Sequence, residues 1–363
     1  MRKRLLATVL CVGMAASLLA GCGGSKPAET TAAATEAATE AAAAEAAAEP
    51  AAETEAAAEA ADAGDYPNGP ITAIIPYAPG GGSDVLTRAL MEYIELPNGS
   101  NIVAVNVEGA SGFTGAMQAA NSKNDGYTIL SHNPMDVVSY SLSGKTDIEL
   151  WSELTNVCGL VDDFNVLVTN PNSGWTTVDE VVEYAKAHPG EIKIGNTGSG
   201  NCNMADCIRV LEALGIKDEV TIVPYDGGAA NKTALMGNHI QLSLNSCADI
   251  QSGILAGDHI PLMTVGDRRA AFLPDTPCTK ELGYDITTTK PRGLYAPNGM
   301  DPAQVKVLAD ACQKVCENEE FQKKIADLGL EVNFVPGDEL KEKVGGWVED
   351  LKPVFEQMAA EGL

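Results

Sequence analysis

The chain has 363 residues, 45% of them apolar and only 5% aromatic, and carries a formal net charge of −26. Charge this negative excludes non-specific nucleic-acid binding, which needs a basic surface, and disfavours resting on an anionic lipid face. After residue 22 no apolar run approaches the ~18 residues that a membrane-spanning helix needs.

The charge is unevenly spread. Residues 1–22 hold Arg2, Lys3 and Arg4 and no acid, residues 23–65 hold ten acids against Lys26, and Tyr66–Leu363 hold 40 acids against 20 bases. The first segment reads as a secretory signal, with a basic start, an apolar stretch over Leu5–Leu19 and then small residues. It ends Leu19-Ala20-Gly21-Cys22, which resembles a bacterial lipobox, in which the cysteine is lipidated and becomes the mature N-terminus. More than one acyl chain at Cys22 gives stable anchoring to the cell membrane, where one chain is marginal. Of the 44 residues from 22 to 65, 21 are Ala, punctuated by Glu and Thr. With no large apolar side chain this stretch has nothing to pack, so residues 23–65 are expected to be a disordered tether.

From Tyr66 onward strand and helix signals alternate. Ile71–Pro76 is an apolar strand, Gly80–Gly82 a turn, and Ser83–Ile94 a helix. Ile102–Val107 is a strand, Gly112–Asn121 a helix and Tyr127–Leu130 a strand. Asn165–Thr169 is a strand and Thr177–Ala187 a helix with Thr177 as cap. Glu191–Gly195, Val220–Val223, Ile240–Leu244 and Pro261–Val265 are strands. The helices between them are Asn203–Leu214, Ala229–Met236 and Ile250–Ala256. A last helix starts at Asp301 with Pro302 in its first turn, keeps Val305, Leu308, Cys312, Val315 and Cys316 on one face, and ends at Leu328 before Gly329. This α/β alternation implies parallel sheets covered by helices.

Seven cysteines remain after Cys11 and Cys22 are set aside, an odd number. Cys202 and Cys207 could bridge, whereas Cys312 and Cys316 suit core packing and would strain a disulfide. No CxxC pair and no HxxxH spacing occurs, so neither a metal nor a cofactor is expected.

Two segments echo each other. Pro76-Tyr77-Ala78-Pro79-Gly80-Gly81-Gly82-Ser83-Asp84 and Pro224-Tyr225-Asp226-Gly227-Gly228 each run from a strand through Pro-Tyr and paired glycines into a helix. A third glycine-rich strand exit is Gly195-Asn196-Thr197-Gly198-Ser199-Gly200-Asn201. Such loops suit an anion. Glycine lets backbone N–H groups approach a ligand, and a helix start supplies unpaired donors at the positive end of the dipole. In open α/β sheets ligands sit at the carboxyl ends of strands, where all three loops fall. Enzyme templates fail: Val85 stands where a dinucleotide fingerprint needs Gly, no phosphate-binding GxxxxGK[ST] occurs, and Thr197 breaks a GxSxG elbow at Ser199. Asp84 beside Ser83 reads either as part of a catalytic pair or as a helix-start carboxylate bonding backbone N–H groups.

The same residues carry a family resemblance. Tyr66-Pro67-x-x-Pro70-Ile71 followed by Pro76-Tyr77-Ala78-Pro79-Gly80-Gly81-Gly82-Ser83-Asp84-Val85-Leu86-x-Arg88 resembles the opening of the tripartite tricarboxylate transporter solute receptors, the Bug or TctC type. Asn106-x-x-Gly109-Ala110-x-Gly112-x-x-Gly115-Ala116, Asp125-Gly126-Tyr127-Thr128, Val223-Pro224-Tyr225 with Gly227-Gly228, Leu273-Pro274-Asp275-Thr276-Pro277, and Leu294-Tyr295-Ala296-Pro297 follow in the family's order. Three positions depart from it: Asp226 replaces the usual Lys, Val107-Glu108 the usual Arg-Pro, and Cys278 a threonine-like residue. Asp226 either favours a ligand that carries an amine or faces solvent.

The resemblance implies a two-lobe type II periplasmic-binding-protein fold with the ligand held between the lobes. Lobe I would be 66–169 plus 285–363 and lobe II 170–284. It also implies a monomeric, non-enzymatic, extracytoplasmic receptor that delivers a small carboxylate, a di- or tricarboxylate or an acidic amino acid, to integral membrane permease subunits. A ligand-sensing adaptor for a signalling partner and a secreted hydrolase are the rival readings. The expected ligand contacts in lobe I are Tyr77, Pro79, Gly80, Gly81, Gly82, Ser83 and Asp84, with His132 and Asn133 at the cleft edge. In lobe II they are Asn196, Thr197, Gly198, Ser199, Asn201, Tyr225 and Asn245.

Overall fold

The computed structural model describes residues 63–286 and 289–362. The signal segment, Cys22 and the tether up to residue 62 lie outside the described residues. In chain order the first elements are β1 (Ile71–Ile75), α1 (Gly82–Tyr93), β2 (Ile102–Asn106), α2 (Phe113–Ala120), β3 (Thr128–His132), α3 (Pro134–Leu142) and β4 (Leu154–Asp162). Then come β5 (Asn165–Thr169), α4 (Val178–Ala187), β6 (Ile192–Asn196), α5 (Cys202–Ala213), β7 (Val220–Pro224), α6 (Gly228–Met236), β8 (Leu242–Ser246), α7 (Cys247–Ala256) and β9 (Ile260–Thr264). The chain closes with β10 (Arg292–Pro297), α8 (Pro302–Cys316), α9 (Glu319–Asp327), β11 (Glu331–Pro336) and α10 (Gly337–Glu361).

Two sheets result. One has the order β11-β4-β10-β3-β1-β2 and the other β7-β6-β8-β5-β9. Neither is purely parallel, against the expectation from alternation. β10 is antiparallel to β3 and β4, and β5 is antiparallel to β8 and β9. The reason is topological: β5 and β10 are the strands that follow each crossing between sheets. A strand entering from the crossing side runs against neighbours that end there.

Asn165–Thr169, expected in lobe I, is paired between β8 and β9 in the second sheet. All five of its residues are buried, so no alternating face marked its place. The first crossing therefore falls at Asp163-Phe164. The return crossing lies beside it: Lys290 N–H donates to the Asp163 carbonyl at 2.8 Å, and Asp163 N–H to the Lys290 carbonyl at 3.2 Å.

Both faces of each sheet are packed. Leu86, Ala89 and Leu90 of α1 and Leu308, Cys312 and Val315 of α8 cover one face of the first sheet. Val137, Val138 and Tyr140 of α3 and Leu351, Phe355 and Met358 of α10 cover the other, joined by Met204 and Ile208 of α5. Each fully buried Leu, Ile or Phe contributes ~1.5–3 kcal/mol over its exposed state. The single helix expected over 301–328 is two helices. Asn318 interrupts it and caps α9, its Oδ1 accepting from Glu320 N at 2.9 Å and Phe321 N at 3.0 Å. Nor is it the last, because β11 and the 25-residue α10 follow.

All seven cysteines of the body are free and buried. Cys202 and Cys207 do not bridge: both lie on α5, one packed in the first lobe's core and the other in the second sheet's. Cys312 and Cys316 pack in the core that holds Cys158.

Candidate ligand-binding cleft

β1 delivers the chain into Tyr77–Gly82, where Gly80 takes φ +83° and Gly81 caps α1 without any side-chain hydrogen bond. Asp84 holds this turn. Its Oδ2 accepts from Gly80 N at 2.9 Å, its Oδ1 from Asn106 Nδ2 at 3.0 Å, and Arg88 forks onto both oxygens. Burial alone would raise its pKa, but hydrogen bonds from Arg88, Gly80 and Asn106 hold it below the ordinary carboxylate value. Asp84 thus works as a helix-start carboxylate rather than as half of a catalytic pair.

The second lobe offers the matching half. β7 ends at Pro224, Gly227 takes φ +95° and α6 starts at Gly228, again with no side-chain cap. The two helix starts face one cavity between the lobes. Of the expected contacts, Tyr77, Gly81, Gly82 and Thr197 line it. Asp136, Asp226, Gly227, Gly228, Asp249, Lys290 and Arg292 line it as well.

The floor of the cavity is charged. Arg292 is buried and pairs with Asp163 at 2.7 Å, while its Nη1 donates to Ser83 Oγ at 2.8 Å and its Nη2 to Ser246 Oγ at 3.1 Å. It therefore ties the crossing, the start of α1 and the start of α7 together. Gly82 makes room for it, since a Cβ there would collide with the Arg292 guanidinium. Asp136, in the first turn of α3, receives the Tyr77 hydroxyl at 3.0 Å and the Cys202 thiol at 2.8 Å. Burial pushes its pKa up, but the Lys290 charge above all, with these hydrogen bonds, brings it below the ordinary value. Lys290 stays above its ordinary value despite burial because anionic neighbours, Asp136 and Asp163 among them, surround it.

The other expected residues support the cavity from behind or from its rim. Ser83 holds Arg292, and Pro79 and Gly80 are exposed at the rim. His132 is fully buried, its Nε2 2.8 Å from Tyr140 Oη, and burial pushes its pKa down to about 4. Asn133 caps α3 and Asn201 caps α5. Asn196 Nδ2 donates to Gly198 O at 2.6 Å, and Gly198 packs against Ser111 of the first lobe. Ser199 is exposed outside the cavity lining, beside the end of α10, its carbonyl taking Lys145 Nζ at 2.8 Å. Tyr225 packs on the second sheet's core, and Asn245 Nδ2 donates to Gly228 O at 3.2 Å.

Sequence reasoning passed over Asp136, Asp249, Lys290 and Arg292 as contacts. Asp136 had a local signal, an acid two residues after Asn133-Pro134 at a strand exit. Lys290 and Arg292 had none, because only the return crossing carries them to the cleft.

The sequence profile described as "Tripartite tricarboxylate transporter family receptor" matches residues 87–358. The chain is 30% identical over 303 residues to the "UPF0065 protein in gbd 5′ region" of Cupriavidus necator, covering 82% of this chain and 90% of that one. It superposes on the periplasmic binding protein BugD with a TM-score of 0.73 at 27% identity, covering 81% and 99% of the two chains. An R. palustris protein solved with adipate shares the fold, with a TM-score of 0.75 at 22% identity over 80% and 98%. Two lobes joined by paired crossings, two glycine-led helix starts facing one cavity, and a profile match over most of the body lead to one conclusion: the chain belongs to the tripartite tricarboxylate transporter receptor (TctC) family of solute-binding proteins.

Proposed function

We propose that this receptor captures a small carboxylate outside the cytoplasm and hands it to the integral membrane permease of a tripartite tricarboxylate transporter, while tethered to the membrane through lipid on Cys22. The observation that carries the reading is the convergence of the α1 and α6 starts from opposite lobes on one cavity. Backbone donors at a helix start bind carboxylate oxygens without the desolvation cost of a second buried charge. Each lobe brings one such start, so a carboxylate between them favours the closed form by its differential contacts.

Thermal unfolding against a panel of carboxylates tests it. Ligand at 100 times its dissociation constant adds about 2.7 kcal/mol, worth several degrees in a domain of this size. A flat panel, with protein shown free of carried-over ligand by native mass spectrometry, removes the carboxylate reading. For the anchor, Cys22→Ser should release the protein from membranes into the soluble fraction, and unchanged membrane association would count against it.

A further inference from the structure

One carboxylate already sits where the proposed ligand carboxylate belongs. Asp249, on α7 of the second lobe, reaches across the cleft, and its Oδ1 lies 2.7 Å from Gly82 N at the start of α1. Its Oδ2 accepts from Ser246 Oγ at 3.1 Å. It faces the other helix start too: a Cβ on Gly228 would run into the Asp249 carboxylate, so the glycine there leaves room for it. A ligand carboxylate that takes the α1 donor must displace Asp249 Oδ1 and then lies against it.

The wider charge balance points the same way. Around the cavity stand four acids, Asp136, Asp163, Asp226 and Asp249, against three bases, Lys145, Lys290 and Arg292. Asp84 and Arg88 cancel at the α1 start. The surroundings therefore carry a net charge of −1 before any ligand arrives. A dicarboxylate would deepen that to −3 in a closed, partly dry site, where charge repulsion is strong. A ligand with one carboxylate and one ammonium leaves it at −1 and gives the displaced Asp249 a cation to pair with.

We infer that the ligand is an amino-acid-type zwitterion and that Asp249 selects it, the ligand carboxylate taking the helix-start donors and the ligand ammonium taking Asp249. This rests on the carboxylate reading of the cleft and narrows it. Asp226, which lines the same cavity, is a second acid there.

Calorimetry on the intact protein decides the matter. The titrants are the protein amino acids, the deaminated analogue of each one that binds, and malate and adipate. The native protein should bind an amino acid at least tenfold more tightly than its deaminated analogue. In Asp249→Asn, a near-isosteric change whose folding is checked by thermal unfolding without ligand, that ratio should collapse toward one. Equal or tighter binding of the deaminated analogue, or a ratio that survives in Asp249→Asn, overturns the inference. Binding of malate or adipate without any amino acid overturns it and leaves the carboxylate receptor standing. Silence from every compound removes both.

Discussion

Arg292 is held by an acid at the crossing and by a serine from each lobe. Removing one partner of a buried pair leaves the other charge uncompensated, which costs ~3–5 kcal/mol. Arg292→Met is therefore expected to lower unfolding stability by about that amount in urea titrations, because buried Asp163 would lose its ion-pair partner and keep only Phe164 N–H and the more distant Lys290. A loss under 1 kcal/mol would mean that Lys290 takes over as the partner of Asp163. His132 gives a prediction of a different kind. Burial depresses its pKa from 6.5 to about 4, so the unfolded chain binds a proton before the native protein does. Stability contributed by this residue is therefore present above pH 6.5 and lost as pH falls toward 4, by about 3 kcal/mol in full. Replacing it, as in His132→Asn, should flatten the stability slope between pH 7 and pH 5, and an unchanged slope would show that His132 binds its proton equally well folded and unfolded.

At the scale of elements, the glycine turn before α1 separates folding from binding. A Cβ on Gly81 would meet Ala78 O at 3.4 Å and Asp249 Oδ1 at 3.6 Å, which is ordinary contact. Gly81→Ala should therefore fold normally, whereas Gly81→Leu fills the cavity and should abolish ligand-induced stabilisation at unchanged fold, read by circular dichroism and thermal shift. Full ligand response in Gly81→Leu would take this turn out of the site. The break between α8 and α9 makes a second test. Asn318→Ala removes two hydrogen bonds to the α9 start and should cost about 1 kcal/mol. The long apolar stripe from Val305 to Cys316 made one helix look continuous to Leu328, because the Asn318 cap inside a periodic run is a weak local signal. α3 was not marked at all. Its residues Pro134 to Tyr140 are all buried, so it shows no polar face and no period to read.

On the scale of the whole molecule, the lobes meet along α5, whose Cys202, Met204 and Ile208 pack in the first lobe's core, and at single contacts around the cleft. Gly198 of the second lobe takes φ +142° and comes so close to Ser111 of the first that a Cβ would lie 2.5 Å from Ser111 Oγ. Lys145 of the first lobe reaches Ser199 O of the second, and Lys217 pairs with Glu361 at the end of α10, tying that helix to the second lobe. Gly198→Val should prop the lobes apart. Small-angle scattering is expected to show no contraction of this variant on adding a ligand that contracts the native protein, and contraction in both would place closure elsewhere.

Most strands and the three glycine-rich loops are legible from residue order alone, because a helix start, an apolar run and a Gly-Gly turn are set by neighbours a few residues apart, whereas β4, β11 and α10 carry no such signal in the sequence reading. Thr177 is the plain case: it caps its helix as expected, and the capping box it forms there with Glu180 lies within four residues. The motif order Pro76–Asp84, Asp125–Thr128, Pro224–Gly228 and Leu294–Pro297 likewise sufficed to place the chain in its family. Tertiary structure alone decided which sheet β5 joins, since five buried residues fit either. It alone decided that Asp249, 167 positions from Gly82, supplies the carboxylate at the α1 start. The same holds for Arg292 and Asp163, 129 positions apart, whose pairing depends on two chain crossings lying side by side. Charge partners at such separations leave no periodic trace in a sequence, because only the folded path of the backbone brings them within reach.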